Sequence, residues 1–289
     1  MNREIAVTGH LDWMTATLKD QSTAFNVIPP VAGIDIVEKM QPPRFFQKAW
    51  ALYPAGFVAI QDTKYKTAML HLTGQDLQAW REAGIADQTT IKALNHMVAN
   101  ITRVDYCVNV HNMGKVAHCV RHMDIGKRTG RPKPYARFKR YDNSGDTLYF
   151  GSPKSAQRVT IYDKAAQLKI KDEFWTRIEL RCRKPAASVL LRDMEAHGMN
   201  DAGRQRIRDL VNYPNLAWWK KAMHGNEVQL EKIPRKVPSV ITWLYEQVLP
   251  VFYKEHEEDT ALLLAGFLAE ASIALRDNNT GIDRRPDIS

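Results

Sequence analysis

The stretch RVTIYDKAAQLK, from Arg158 to Lys169, sets Tyr162 two positions before Lys164, after a β-branched run and ahead of a helix-like segment. A phenol in that setting is either an ordinary strand tyrosine or a nucleophile. Tyrosine attacks phosphorus once its proton is removed or its phenolate is stabilised. Two acids elsewhere in the chain, Asp105 and Glu179, can hold a hard divalent cation through oxygen ligands. An ion held there polarises a phosphoryl oxygen. Lys164, with Arg177 or Arg181, can offset the charge that grows on the phosphate in the transition state. Tyrosine, metal carboxylates and local cations together suit transesterification of a phosphodiester.

Strands must bring these groups together, because successive side chains in a strand point to opposite faces. In ITRVDYCVNV, Arg103, Asp105, Cys107 and Asn109 share one face, opposite Val104, Tyr106, Val108 and Val110. In RVTIYDK, Arg158, Thr160, Tyr162 and Lys164 share a face; in WTRIELRCR, Arg177, Glu179, Arg181 and Arg183 do. Taken one at a time, each polar face also fits a solvated or salt-bridged sheet surface. It is the combined set that points to chemistry.

Around these strands the text alternates between strand-like and helix-like segments up to about Glu179. DWMTATL alternates Trp13, Thr15 and Thr17 against Met14, Ala16 and Leu18; GFVAIQDT and TAMLHLTG read as two more strands joined through a hairpin. Helical segments are predicted from Gly74 to about Ala99 and from His111 to about His122, with TLYFG as a further strand. After Pro185 the pattern is helical to the frayed tail, and Asp201 and Asp259 stand where N-caps would. The expected fold is α+β, a largely antiparallel central sheet flanked by helices with a helical C-terminal appendage. The expected division is a catalytic region over 1–185 and a helical region over 186–289, serving DNA binding, dimerisation or helicase docking.

The chain has 289 residues, enough to bury a sizeable core, and its 44% apolar content is that of a globular protein. Its formal charge of +9 favours a polyanionic partner, nucleic acid first. The apolar run TALLLAGFLAEASIAL contains Glu270 and is too short to span a bilayer. Three widely spaced cysteines without a CxxC fit a reducing cytosol better than a disulfide framework or a zinc site. No GxGxxG or phosphate loop follows a strand.

Five ordered blocks resemble the replication initiation factor family (Rep_trans), whose members are rolling-circle initiators of small plasmids and filamentous phages. They are HLDWMTATL, MLHLTGQDL, TRVDYCVNV, TLYFGSPKSAQRVTIYDKAAQ and WTRIELRCR, covering roughly residues 10–185. The resemblance implies a relaxase-like, metal-dependent nickase whose tyrosine cuts one strand of an origin. The products are a 5′-phosphotyrosyl link and a 3′-OH primer, with strand joining later. It implies Tyr162 as nucleophile with Lys164 and Arg177 as catalytic cations, and Mg²⁺ or Mn²⁺ as the ion. Asp105 and Glu179 are the implied acids and Arg103 a strand arginine. Asn109 replaces a second acid that many members carry, and His71 is a candidate nitrogen ligand. Implied partners are origin DNA with an extruded single strand and a host helicase, in the bacterial cytosol. A single motif tyrosine leaves termination to another group or to a second subunit of a homodimer.

The segment KRTGRPKPYARFKRYDNSGD reads as a loop, or a loop with a short strand, suited to DNA through Lys127, Arg128, Arg131, Lys133, Arg137, Lys139 and Arg140, with Tyr135 for stacking. Arg103 and Arg181 are counted with these contacts, and Arg204, Arg206 and Arg208 form a second basic set that suits duplex flanks or, equally, an ordinary charged helix surface. Trp218 and Trp219 read as a packing junction. His118-x-x-Arg121 resembles the tyrosine-recombinase pattern, but that fold is mainly helical and places its nucleophile near its C-terminus. The competing reading of a different class is a non-enzymatic origin-binding or regulatory protein, for which Asn109 is the main support.

Overall fold

The longest run of period-two alternation, Asn100–His111, becomes the strand on which both halves of a ten-stranded sheet meet. The computed structural model describes residues 5–234 except 19–35, 53, 63–66, 98–99, 131–133, 140–145 and 172; of 36–39, 97 and 134–139 the backbone alone is described. The strands are β1 (Ala6–Leu18), β2 (Ile36–Lys39), β3 (Lys48–Leu52), β4 (Phe57–Gln61), β5 (Thr67–Leu72), β6 (Asn100–His111), β7 (Pro134–Lys139), β8 (Asp146–Phe150), β9 (Gln157–Asp163) and β10 (Trp175–Arg183). They pair in the order β2-β3-β4-β5-β1-β6-β10-β9-β8-β7, and every pairing is antiparallel. This is the α+β class expected.

One face of the sheet is apolar. Leu11, Met14, Val104, Tyr106, Val108, Ile178 and Leu180 are all essentially buried and form one core. The helices α1 (Gly74–Glu82), α2 (Asp87–Met97), α3 (Val116–Asp124), α5 (Pro185–His197), α6 (Met199–Leu210) and α7 (Ala217–Ala222) add side chains to it, including Trp80, Leu94, Cys119, Leu190, Ile207 and Trp219. Each large aliphatic chain so buried contributes about 1.5–3 kcal/mol. Among the described residues the polar face therefore carries no helix of this core. A single turn, α4 (Lys164–Gln167), follows β9.

Several boundaries differ from expectation. The strand β6 runs on to His111, so α3 starts only at Val116. Asp201 is not the cap of its helix: α6 starts after Gly198, and Asp201 lies in its first turn, accepting from Asn226. The basic segment holds the edge strand β7. Helices α5 to α7, assigned from sequence to the region beyond 185, lie in a compact unit that spans Met1–Pro234. Trp218 and Trp219 are buried packing residues. The helical segments foreseen beyond residue 234, Asp259 among them, lie outside the described residues.

Candidate active site on the polar face

Strand register arranges the polar face in rows. One row crosses His10, Cys107, Glu179, Thr160 and Tyr149 on β1, β6, β10, β9 and β8. The next holds Thr8, Asn109, Arg177, Tyr162 and Thr147. On the other side of the first row lie Trp13, Asp105, Arg181 and Arg158. Tyr162, Glu179 and Arg181 line one cleft of about 250 Å³ together with Thr147, Tyr149, Arg158, Thr160, Asp163 and Gln167. Tyr162 is half-buried.

The environment of Tyr162 favours the phenol over the phenolate. Burial raises its pKa first, and the charge of Glu179 adds to that; Arg177, opposite it on β10, opposes the rise by its charge and a side-chain hydrogen bond. Arg177 is nearly buried and makes two further contacts. Its Nε donates to Asn109 Oδ1 at 2.8 Å and its Nη1 to Asp12 Oδ1 at 3.1 Å. Lys164 is the first residue of α4 rather than a member of the strand face. Its Nζ lies 5.9 Å from the Tyr162 ring centroid and donates to Gln167 Oε1 at 2.9 Å. Burial and the neighbouring Arg177 lower the Lys164 pKa.

Three expected metal ligands are engaged otherwise. Asp105, 2% exposed, accepts from Arg103 Nε at 2.9 Å on Oδ1 and from Arg181 Nε at 3.1 Å on Oδ2. Two guanidiniums thus balance its charge, and it does not line the cleft. Asn109 Oδ1 accepts from Trp175 Nε1 at 2.9 Å as well as from Arg177. It thereby holds the guanidinium that faces Tyr162 on β10. His71 is stacked on Phe57, with ring centroids 4.6 Å apart, and meets Trp13 edge-on at 4.7 Å. Its Nδ1 lies 3.3 Å from Thr15 Oγ1.

Glu179 stays in place: it lines the cleft, and one oxygen accepts from Arg181 at 3.1 Å. Burial, then Asp105 and Asp12, raise its pKa. Burial leads that rise, and a buried carboxyl with other carboxylates nearby is a spot that gains from a cation. Beside it, His10, Asp12 and Cys107 offer ligand atoms that all lie within 4.8 Å of one another. His10 Nε2 is 3.0 Å from Cys107 Sγ and 3.9 Å from Asp12 Oδ1. Its pKa is lowered to about 4, by burial first and then by Arg81 and Arg177. The imidazole is thus neutral at physiological pH, the form that ligates metals. Burial pushes the Cys107 thiol up.

The sequence reading passed over His10 and Asp12, and a β-bulge is the reason. Leu11 pairs with Tyr106 and Trp13 with Asp105, so Asp12 is the extra residue. The alternation that starts at Trp13 therefore conceals Asp12, although His10-x-Asp12 has strand spacing. The bulge is held from outside. Leu11 N donates to Asp87 Oδ2 at 3.0 Å, and Leu11 O accepts from Arg81 Nη1 at 3.2 Å. At Gly74 a Cβ would come within 2.9 Å of Asp12 Oδ1, so this glycine of the LTGQ turn leaves room for the carboxylate.

Because the folded His10 pKa lies below its usual 6.5, the unfolded chain takes up that proton first. The unfolding free energy should therefore fall as pH drops from about 6.5 toward about 4. His10→Asn should lessen the fall; urea titrations at neutral and acidic pH measure the difference.

The basic groups divide. Lys127 is exposed, while Arg128 packs over Phe150, a residue of the buried core face, and so does not open on the Tyr162 cleft. Arg131, Lys133 and Arg140 lie outside the described residues, as do the side chains of Tyr135, Arg137 and Lys139 on β7. The second basic set is engaged within the chain. Arg206 Nη2 donates to Asp193 Oδ2 at 2.6 Å, Arg204 to His224 O, and Arg208 to Met223 O.

The fold is an antiparallel α+β sheet that presents a tyrosine, carboxylates and a histidine on one face. The chain belongs to the replication initiation factor family (Rep_trans), whose family model matches residues 93–252, more than half its length. In structure it is similar to a rolling circle replication initiator protein from Geobacillus stearothermophilus, with a TM-score of 0.60 and 18% sequence identity, over 75% of this chain and 96% of that one. No curated protein matches the chain in sequence. Among the described residues no helix is long and apolar enough to cross a membrane.

Proposed function

We propose that this protein initiates rolling-circle replication of a phage or plasmid in the bacterial cytosol by nicking one strand of its origin through Tyr162. The observation that carries the reading is one polar cleft shared by Tyr162 and Glu179, with Arg177 facing the phenol and the His10–Asp12–Cys107 cluster at the next strand. Tyr162 Oη attacks the scissile phosphorus in line, the bond from phosphorus to the 3′-oxygen breaks, and a 5′-phosphotyrosyl link forms. The phenol proton leaves into the cleft and the departing 3′-oxygen takes one up, giving the primer hydroxyl. Arg177, oriented by Asn109 and Asp12, favours the phenolate and the transition-state charge. Lys164 adds a second cation beside the ring. Joining of the displaced strand is the reverse attack by a 3′-hydroxyl on the phosphotyrosine.

The donor set fits a divalent cation. His10, Asp12 and Glu179 would hold it, with Cys107 at their side, in place of the set built on Asp105, Asn109 and His71. A bound ion would supply Lewis-acid polarisation of the phosphoryl oxygen. Of Mg²⁺ and Mn²⁺, the nitrogen in the set suits Mn²⁺ better. Origin DNA, with contacts from Lys127 and the β7 segment, a host helicase and a second subunit for termination complete the reading.

Incubation with a supercoiled origin plasmid and Mn²⁺ tests it: nicked circles and a covalent protein–DNA adduct are expected. Tight origin binding without nicking under any divalent ion would instead establish the non-enzymatic alternative. Glu179→Gln should lower nicking about 100-fold or more while leaving single-strand affinity within a few-fold. An equal loss of both would point to damage of the fold.

A further inference from the structure

We infer that Phe57, His71, Trp13 and Arg103 form a stacking site for unpaired bases of the strand whose phosphate enters the Tyr162 cleft, an assignment that rests on the nicking reading above. The register places Phe57 opposite His71, His71 opposite Thr15, and Thr15 opposite Arg103, one line across β4, β5, β1 and β6. Trp13 stands beside that line on β1, and the Arg103 guanidinium carbon sits 4.2 Å from its ring centroid. With the His71 ring stacked on Phe57 and edge-on to Trp13, four planar groups follow one another on the face that carries no core helix.

Two features separate this strip from an ordinary aromatic cluster. All four groups are half-buried, unlike the core aromatics Trp80, Tyr106 and Phe150, which are 2% exposed or less. Polar atoms of three of them are also engaged, by Thr15 and Asp105. Trp13 Nε1 donates to Thr15 Oγ1 at 3.1 Å, Thr15 Oγ1 meets His71 Nδ1, and Arg103 is held by Asp105. What the strip offers a ligand is therefore flat surface rather than hydrogen-bond donors. Burial and the charge of Arg103 lower the His71 pKa, favouring the uncharged ring. Every base has a π-face, so stacked aromatics with a guanidinium take single strands with little sequence preference.

The location fixes the occupant. Trp13 directly follows Asp12, and the bulge turns both onto the polar face, so the strip begins where the metal cluster ends. Trp13 on β1 lies three strands from Tyr162 on β9, at least about 14 Å at the usual strand spacing, so a single strand with its phosphate at Tyr162 must continue across β10 and β6 to lay later nucleotides on these rings. A net charge of +9 favours such a polyanion over a neutral peptide.

A poly-dT oligonucleotide bearing one 2-aminopurine tests the assignment on the full-length chain, because stacking on an indole quenches that base. Wild type should quench it. Trp13→Ala should lose the quench and bind the oligonucleotide about tenfold more weakly, while Trp13→Phe should recover most of the affinity. Binding to blunt duplex of equal length should change less than twofold. The assignment is overturned if Trp13→Ala combined with Phe57→Ala holds the oligonucleotide within twofold of wild type. It is equally overturned if single strand and duplex weaken in parallel and Trp13→Phe does not recover them, or if a peptide-binding partner competes where DNA does not. Adduct formation by wild type judges the nicking reading separately, since adducts with unaltered Trp13→Ala binding would remove the strip alone.

Discussion

Replacing Tyr162 by Phe should abolish the covalent protein–DNA adduct and reduce nicking by about 10⁴-fold or more, the scale on which loss of a nucleophile is felt. The substitution removes the hydroxyl oxygen and keeps the ring, whose half-buried position beside Thr160 and Arg177 is filled equally by Phe. Stability should accordingly change by less than about 1 kcal/mol, and affinity for single-stranded DNA should be retained. Denaturing gels after incubation with a labelled origin strand and Mn²⁺ read the adduct directly. Residual adduct at the wild-type level would transfer the nucleophile to another residue. Tyr149, the other phenol lining the cleft, sits over Arg158 with the guanidinium carbon 4.1 Å from its ring centroid.

Asp105→Ala should unfold the protein more readily without erasing its response to metal. Asp105 balances Arg103 and Arg181, whose side chains are only 23% and 27% exposed, and its removal leaves both guanidiniums without their shared anion. Breaking such a buried arrangement costs about 3–5 kcal/mol. Partial solvation of the two arginines brings the expected loss nearer about 2–3 kcal/mol, roughly 5–10 °C in Tm for a unit of this size. Thermal melts with and without Mn²⁺ separate the two roles. The Mn²⁺-induced rise in Tm should persist in Asp105→Ala and Asp105→Asn and should vanish in Asp12→Asn. If Asp105→Asn loses the rise and Asp12→Asn keeps it, Asp105 is the ligand after all.

The same geometry weakens the non-enzymatic alternative. That reading leaned on Asn109 standing where an acid is common, as though a ligand had been lost. With its oxygen accepting from both Trp175 and Arg177, Asn109 has a positioning role that an active site can use.

Period-two alternation made most of the site legible. Asp105, Cys107 and Asn109 on β6, Tyr162 on β9, and Arg177, Glu179 and Arg181 on β10 all occupy the face that alternation assigns them, because an antiparallel ladder preserves face from strand to strand. Lys164 did not follow that rule, since Asp163 accepts from Ala166 N as an N-cap and turns the chain into α4 after the strand. The partners of the basic helix were hidden for a related reason. Charge spacing along α6 says nothing of Asp193 or of the 223–231 segment that Arg204, Arg206 and Arg208 meet.

By itself, then, the sequence determined which residues could share a face, the fold class and the membership of Tyr162 in a polar strand, all of them consequences of local periodicity. Partner choice was left to the tertiary structure. Whether a carboxylate meets a guanidinium or faces a cleft depends on which strands lie side by side and in what register, and nothing within a strand encodes that. Asp105 went to two arginines, Asn109 to Arg177 and His71 to an aromatic stack. Asp12 entered the site only because Arg81 and Asp87, from two helices, hold a bulge in β1 that no alternation pattern predicts.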